Sequence, residues 1–242
     1  MNRILVLQHI EIETLAYLEN LFKKHNFLIK IIKLYKNESI PQSVDDYDLL
    51  ISLGGPMDTW MTNLYPWLKH EKELIKKFVL EIEKPFLGLC LGCQLLGETL
   101  GGKVVKSTIP EIGFKNIAMK KESKNDRLFF NFSKSYKVFQ WHSCEVTKIS
   151  DNPEVTILGS SKITPIQVFK YKDHAYGIQY HLELENNTIL DWLKNEVYKE
   201  SLIKTLGPKG IKLLLDQQKQ YISDTQKLCE KLFNNILNVL KN

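Results

Sequence analysis

Residues 85–102, PFLGLCLGCQLLGETLGG, decide the fold. An apolar run, Phe86-Leu87-Gly88-Leu89, leads into Cys90. The segment after it carries Leu95, Leu96, Thr99 and Leu100 at helical spacing before Gly101-Gly102 stops it. The pattern predicts a buried strand, a tight turn and a helix. Gly88 and Gly92 flank the cysteine as G-x-C-x-G, the thiol form of a nucleophile elbow, in which a strained strand-to-helix turn needs small neighbours. A thiol at a helix N-terminus meets unpaired N–H groups and the positive end of the dipole, so thiolate is expected to be favoured there.

Other readings of the same residues stay open at this point. A cysteine among leucines can be a small buried hydrophobe. Cys90 and Cys93 form a C-x-x-C at a helix start, the place of a dithiol redox pair, although such a pair needs no glycine on both sides of its first cysteine. Zinc is not expected, because Cys144 and Cys229 are isolated.

Upstream, Ile4 to Leu7 reads as a strand, residues 11 to 25 as a helix with Ile12, Leu15, Leu18 and Leu21-Phe22 on one face, and Phe27 to Leu34 as a second strand. Tyr47 to Leu53 is a third strand, ending in Gly54-Gly55-Pro56, and Pro66 to Ile82 a second helix. This alternation implies a doubly wound sheet, in which ligands bind beyond the carboxyl ends of the strands, where both Gly54-Gly55 and Cys90 stand. After Gly102 come short strand-like runs, 104–107, 114–119, 136–141, 155–158, 166–171 and 175–180, parted by turn residues and read as hairpins of an antiparallel section. From Asn186 the pattern is helical again, with Ile189, Trp192-Leu193 and Val197 sharing a face and a break at Gly207-Pro208-Lys209-Gly210. The expected architecture is α/β: a doubly wound, flavodoxin-like mixed sheet with helices on both faces, an added antiparallel section, and a C-terminal helical appendage. Residues 1–190 form the domain and 191–242 the extension.

The 242 residues can bury a full core, and 43% apolar with 25% charged content is ordinary for a globular protein. The net charge of +5 is spread along the chain without a basic block, so nucleic acid is not an expected partner. The opening residues are too short an apolar run for a signal peptide, and the most apolar stretch, 85–97, is too short to span a bilayer. Four irregularly spaced cysteines suit a reducing compartment, so a cytoplasmic location is expected.

Tyr180-His181-Leu182-Glu183 ends the last strand-like run. On an extended segment residues two apart point the same way, so His181 and Glu183 can sit together. A thiol nucleophile needs a base, and the base an acceptor that fixes its tautomer; this pair has the right types and order.

Taken together, G-x-C-x-G with Gln94 four after the cysteine, the upstream Gly54-Gly55-Pro56 and the downstream His181-x-Glu183 resemble the class I glutamine amidotransferase family over roughly residues 1 to 190. The resemblance implies a Cys90-His181-Glu183 triad that cleaves the side-chain amide of glutamine, giving glutamate and ammonia without a cofactor or metal. It also implies oxyanion donors at the backbone N–H groups of Gly55 and Leu91, and a substrate pocket formed with Gly54, Gln94, His142 and Ser143.

Two departures from the family pattern qualify this. Leu182 replaces the usual proline between histidine and glutamate; the middle residue points away, so little effect is expected. Residues 139–145, FQWHSCE, resemble the family's Trp-His-Gly-Asp stretch, but Cys144 stands where the acid that meets the substrate's amino group belongs. Either a neighbour such as Glu145 substitutes, or the substrate is another γ-glutamyl compound. His142 is the weaker candidate for the base, because no carboxylate stands two residues from it. Neither a Ser-Gly-Gly-x-Asp-Ser loop nor a G-x-x-x-x-G-K-[ST] sequence occurs. The protein is therefore expected either to pass ammonia to a separate synthetase or to hydrolyse γ-glutamyl amides alone. A γ-glutamyl peptidase, a dithiol oxidoreductase and a non-enzymatic regulatory module are the alternatives.

Overall fold

The strands are β1 (Arg3–Gln8), β2 (Leu28–Lys33), β3 (Leu49–Ser52), β4 (Phe86–Leu89), β5 (Lys103–Met119), β6 (Ser135–Thr147), β7 (Val155–Ser160), β8 (Val168–Tyr171) and β9 (Ala175–Ile178). The helices are α1 (Ala16–Lys24), α2 (Trp67–Lys76), α3 (Leu91–Thr99), α4 (Thr188–Trp192), α5 (Glu196–Leu206) and α6 (Gly210–Val239). This computed structural model describes residues 2–241; Met1 and Asn242, the outermost residues of the two expected segments, lie outside it. All nine strands join one mixed sheet in the order β2-β1-β3-β4-β9-β8-β7-β5-β6. The first half, β2 through β9, is parallel, and the pairs β9/β8, β8/β7, β7/β5 and β5/β6 are antiparallel.

β1, β3 and β4 are buried along most or all of their length, as strands covered on both faces must be, and their runs of leucine, isoleucine and valine reflect it. Two apolar layers flank the sheet, one holding Phe78, Leu95 and Leu96, the other Phe22, Leu87 and Phe233. A third, built from Phe139, Trp141, Trp192, Tyr198 and Leu202, joins the antiparallel section to α4 and α5. Each large side chain so buried contributes about 1.5–3 kcal/mol. Helix α6 runs against α1, α5, β5 and β6, so the C-terminal helices pack back onto the sheet.

The structure departs from the sequence reading in four places. Residues 11–15 are not helical; α1 starts at Ala16, and Glu13 is drawn into the interior instead. The runs at 104–107 and 114–119 belong to one long strand, β5, whose register against β6 shifts between Lys106 and Glu111. Although β9 is antiparallel to β8, its other edge pairs parallel to β4, setting Gly177 opposite Gly88. Val197 does not share a buried face with Ile189: α4 ends at Trp192, and Asn195 caps a new helix by accepting from the Val197 N–H (3.0 Å), which leaves Val197 60% exposed.

Among the described residues, no helix is long and apolar enough to cross a membrane.

Candidate active site

Five strands run parallel, so their carboxyl ends open on one edge of the sheet, and four of them lead into site residues: β1 before His9, β3 before Gly54-Gly55, β4 before Cys90 and β9 before His181. Cys90 adopts φ 50°, ψ −100° on the turn into α3, strained backbone that costs on the order of 1–3 kcal/mol and persists only where the surroundings fix it. A side chain at Gly88 would collide with the backbone of Gly92, and one at Gly92 with Ser52, so both flanking positions need glycine.

The Cys90 thiol donates to the Trp141 carbonyl (3.9 Å), its sulfur accepts from Gln179 Nε2 (3.7 Å), and the His181 imidazole lies within electrostatic reach of it. His181 Nδ1 meets Glu183 Oε1 at 2.6 Å, which leaves Nε2 for the thiol. The second Glu183 oxygen accepts from the Leu182 N–H (2.9 Å), while Leu182 itself is buried in the core. Trp192 packs edge-on against the His181 ring with centroids 4.9 Å apart. Burial pushes the Cys90 thiol above its ordinary value, and the contact with His181 only partly offsets that. That shift runs opposite to the thiolate expected from the helix terminus. Burial opposes the charged form of His181, but the Glu183 carboxylate, with the hydrogen bonds to Cys90 and Glu183, holds its value well above the usual imidazole range.

Behind the Gly54-Gly55 loop lies a second buried pair that sequence reasoning missed. His9 Nδ1 donates to the Gly54 carbonyl (2.9 Å), and its Nε2 lies 2.9 and 3.0 Å from the two oxygens of Glu71, which also accepts from Ser52 Oγ (2.7 Å). In a planar trans peptide C=O and N–H point opposite ways. Anchoring the Gly54 oxygen therefore aims the Gly55 N–H away from His9. Burial opposes protonation of His9, but Glu71 overcomes it and raises the value, as two ring donors require. A strand-end histidine was the available signal; its partner 62 residues on was not.

Glu13 was also missed. It is buried, accepts from the Tyr198 hydroxyl, and occupies the space where a side chain at Gly54 would go. Burial raises its value, partly countered by His181.

A cavity of about 100 Å³ lies in front of Cys90, walled by 55–58, by 141–144, by Gln94, and by Val197, Tyr198 and Ser201 of α5. Gly55, Gln94, His142 and Ser143 thus line it; Gly54 and Leu91 flank it in sequence. Gln94 Nε2 donates to the Cys144 carbonyl (3.3 Å) and to Gln179 Oε1 (3.2 Å). The His142 ring is engaged elsewhere: Nδ1 donates to the Cys144 carbonyl (2.9 Å) and Nε2 lies 3.6 Å from Glu111. A carboxylate does face His142, from the neighbouring strand, but the imidazole within electrostatic reach of the Cys90 thiol is that of His181. Glu145 does not line the cavity; Asp58 does. Cys93 is buried with its sulfur against Gly177, and all four cysteines are free. Among the described residues, no cluster of three or more His, Cys, Asp or Glu could hold a metal ion.

The arrangement can deliver a thiol, an acid/base braced by a carboxylate, and backbone donors to one carbonyl. A family model described as glutamine amidotransferase class-I matches residues 13–200. A glutamine amidotransferase-like protein of Salmonella typhimurium is 31% identical over 160 residues, covering 65% of this chain and 65% of that protein. A glutamine-hydrolyzing GMP synthase component of Sulfurisphaera tokodaii is 34% identical over 142 residues, 58% of this chain and 70% of that one. The crystal structure of a glutamine amidotransferase from Thermotoga maritima superposes with a TM-score of 0.86 at 29% identity, covering 100% of this chain and 99% of that one.

Proposed function

The chain belongs to the class I glutamine amidotransferase family, and from that premise we propose that it hydrolyses the γ-carboxamide of glutamine, or of a γ-glutamyl amide, with Cys90, His181 and Glu183 as its triad. The observation that carries this reading is the His181–Glu183 contact, Oε1 2.6 Å from Nδ1, with the Cys90 thiol within electrostatic reach of the ring.

His181 Nε2 takes the thiol proton as Sγ attacks the amide carbon. The Gly55 and Leu91 N–H groups receive the oxyanion; Leu91 opens α3, so its N–H has no acceptor within the helix. One such donor is worth about 3 kcal/mol in the transition state. His181 returns the proton to the nitrogen, and the C–N bond breaks to release ammonia and leave a γ-glutamyl thioester on Cys90. Water then gives a proton to His181 and its hydroxyl to the carbonyl; the C–S bond breaks, glutamate departs, and His181 reprotonates the sulfur. Glu183 keeps Nδ1 protonated and stabilises the imidazolium.

Residues 191–242, the extension to the domain of 1–190, serve the same site in this reading, since α5 supplies one wall of the cavity. The ammonia passes to a separate synthetase or to water, in a reducing, cytoplasmic setting that suits four free thiols. The test is glutamate release from glutamine and γ-glutamyl peptides by wild type and Cys90→Ala. Turnover should vanish in the variant; equal turnover by both proteins would remove Cys90 from the mechanism.

A further inference from the structure

The cavity before Cys90 has one charged wall. Asp58, just past the Gly54-Gly55-Pro56 turn, is the one carboxylate among the described residues lining it, and no lysine or arginine lines it. Asp58 Oδ1 accepts from the Cys144 thiol (3.1 Å) and from Lys106 Nζ (2.8 Å). Burial, and then the neighbouring Asp58, push the Cys144 thiol up to about 12. At neutral pH Cys144 is thus an S–H donor to Asp58. Both contacts fall on Oδ1, so Oδ2 is left for a further donor.

The two partners of this ion pair face different media. The Lys106 side chain is 59% exposed and screened by water, whereas that of Asp58 is 11% exposed. A carboxylate kept this dry is costly unless paired; Lys106 engages Oδ1 from the more exposed side, and Oδ2 has no hydrogen-bond or ion-pair partner among the described residues. Since Cys90 and Asp58 line one cavity, a molecule attacked at one end can be read at the other.

Building on the hydrolase reading, we propose that Asp58 receives the α-ammonium group of the substrate, so that the enzyme takes γ-glutamyl compounds with a free α-amino group and refuses glutamine acylated at its α-nitrogen, as within a peptide. The substrate's α-carboxylate then faces Lys106 at the rim, and the four charges alternate in sign. Asp58 and Cys144 come from different elements, a loop and β6, and only their contact shows that an acid stands beside the position where the sequence pattern lacks one.

The experiment deletes the amino group from the substrate as well as the acid from the protein. Ammonia release is followed from glutamine, from Nα-acetylglutamine and from glutaramate, which keeps the γ-carboxamide and the carboxylate but has no amino group. γ-Anilides of glutamate and of glutarate cover a larger leaving group. Wild type should prefer the amino-bearing member of each pair by about tenfold or more in kcat/KM, as a charge-assisted hydrogen bond allows, and should leave Nα-acetylglutamine essentially intact. In Asp58→Asn the loss for glutamine should exceed that for glutaramate by a similar factor and appear chiefly in KM. Equal use of both substrates by wild type, or equal loss of both in the variant, overturns the assignment. The wild-type ratio decides the matter even if the variant does not fold. Absence of Cys90-dependent release from every compound is a different result: it removes the hydrolase reading, and this assignment with it.

Discussion

The Gly54-Gly55 loop has a buried histidine–carboxylate pair on each side. In front, His181 and Glu183 stand two residues apart on one extended segment and face Cys90. Behind, His9 and Glu71 come from the end of β1 and from α2, and hold the Gly54 carbonyl. Both imidazoles are raised above their ordinary value by a carboxylate that outweighs burial, so their electrostatics are alike. Their surroundings are not: in the proposed mechanism the front ring trades a proton with the Cys90 thiol, whereas the back ring meets a carbonyl, a carboxylate and the face of Trp67, with centroids 5.4 Å apart. A raised histidine is therefore not by itself a catalytic one; what its second nitrogen touches decides.

Substitutions should separate the two pairs. His181→Ala carries the largest expected effect, a loss on the order of 10²–10⁴-fold in kcat/KM, with a smaller stability change than the next variant; retained turnover would break the contrast at once. Glu71→Ala should act mainly on stability, lowering it by about 3–5 kcal/mol in denaturant titration because a buried partner is left uncompensated. A folded-state value raised above 6.5 at His9 means that the pair's contribution is present below that pH and lost as pH rises through the raised value. Wild-type stability should therefore decline on the alkaline side, with a flatter decline in Glu71→Ala; superimposable profiles would remove His9 as the titrating group. Glu183→Gln is the mildest: a loss on the order of 10²-fold in rate, the lower end of the range for a positioned acid/base, with the acid limb of kcat/KM moved to lower pH because the carboxylate that raises His181 is gone. An unmoved limb would mean that another group controls it.

How far each pair was legible follows from sequence distance. His181-x-Glu183 could be found by period-two geometry, and the elbow by its glycines, since both are local statements about one strand and one turn. His9, Glu13, Glu71 and Asp58 gave no local pattern. The stretch 11–15 fitted a helical face, and what overrode it was the burial of Glu13 against Gly54 and Tyr198. The dismissal of His142 for want of a nearby carboxylate looked along one strand only, while Glu111 faces it from the next.

Taken alone, the chain's order of residues determined the parallel αβ half, the elbow at Cys90 and the family resemblance, because hydrophobic period, glycine at sterically closed positions and short spacings are written within one element. Only the tertiary structure decided that β9 enters beside β4 and so brings His181 to Cys90, that α5 walls the cavity with Tyr198, and that Asp58 stands beside Cys144. Those pairings depend on which strand edges and helix faces meet across the sheet, a matter of packing between segments far apart in the chain that no local pattern encodes.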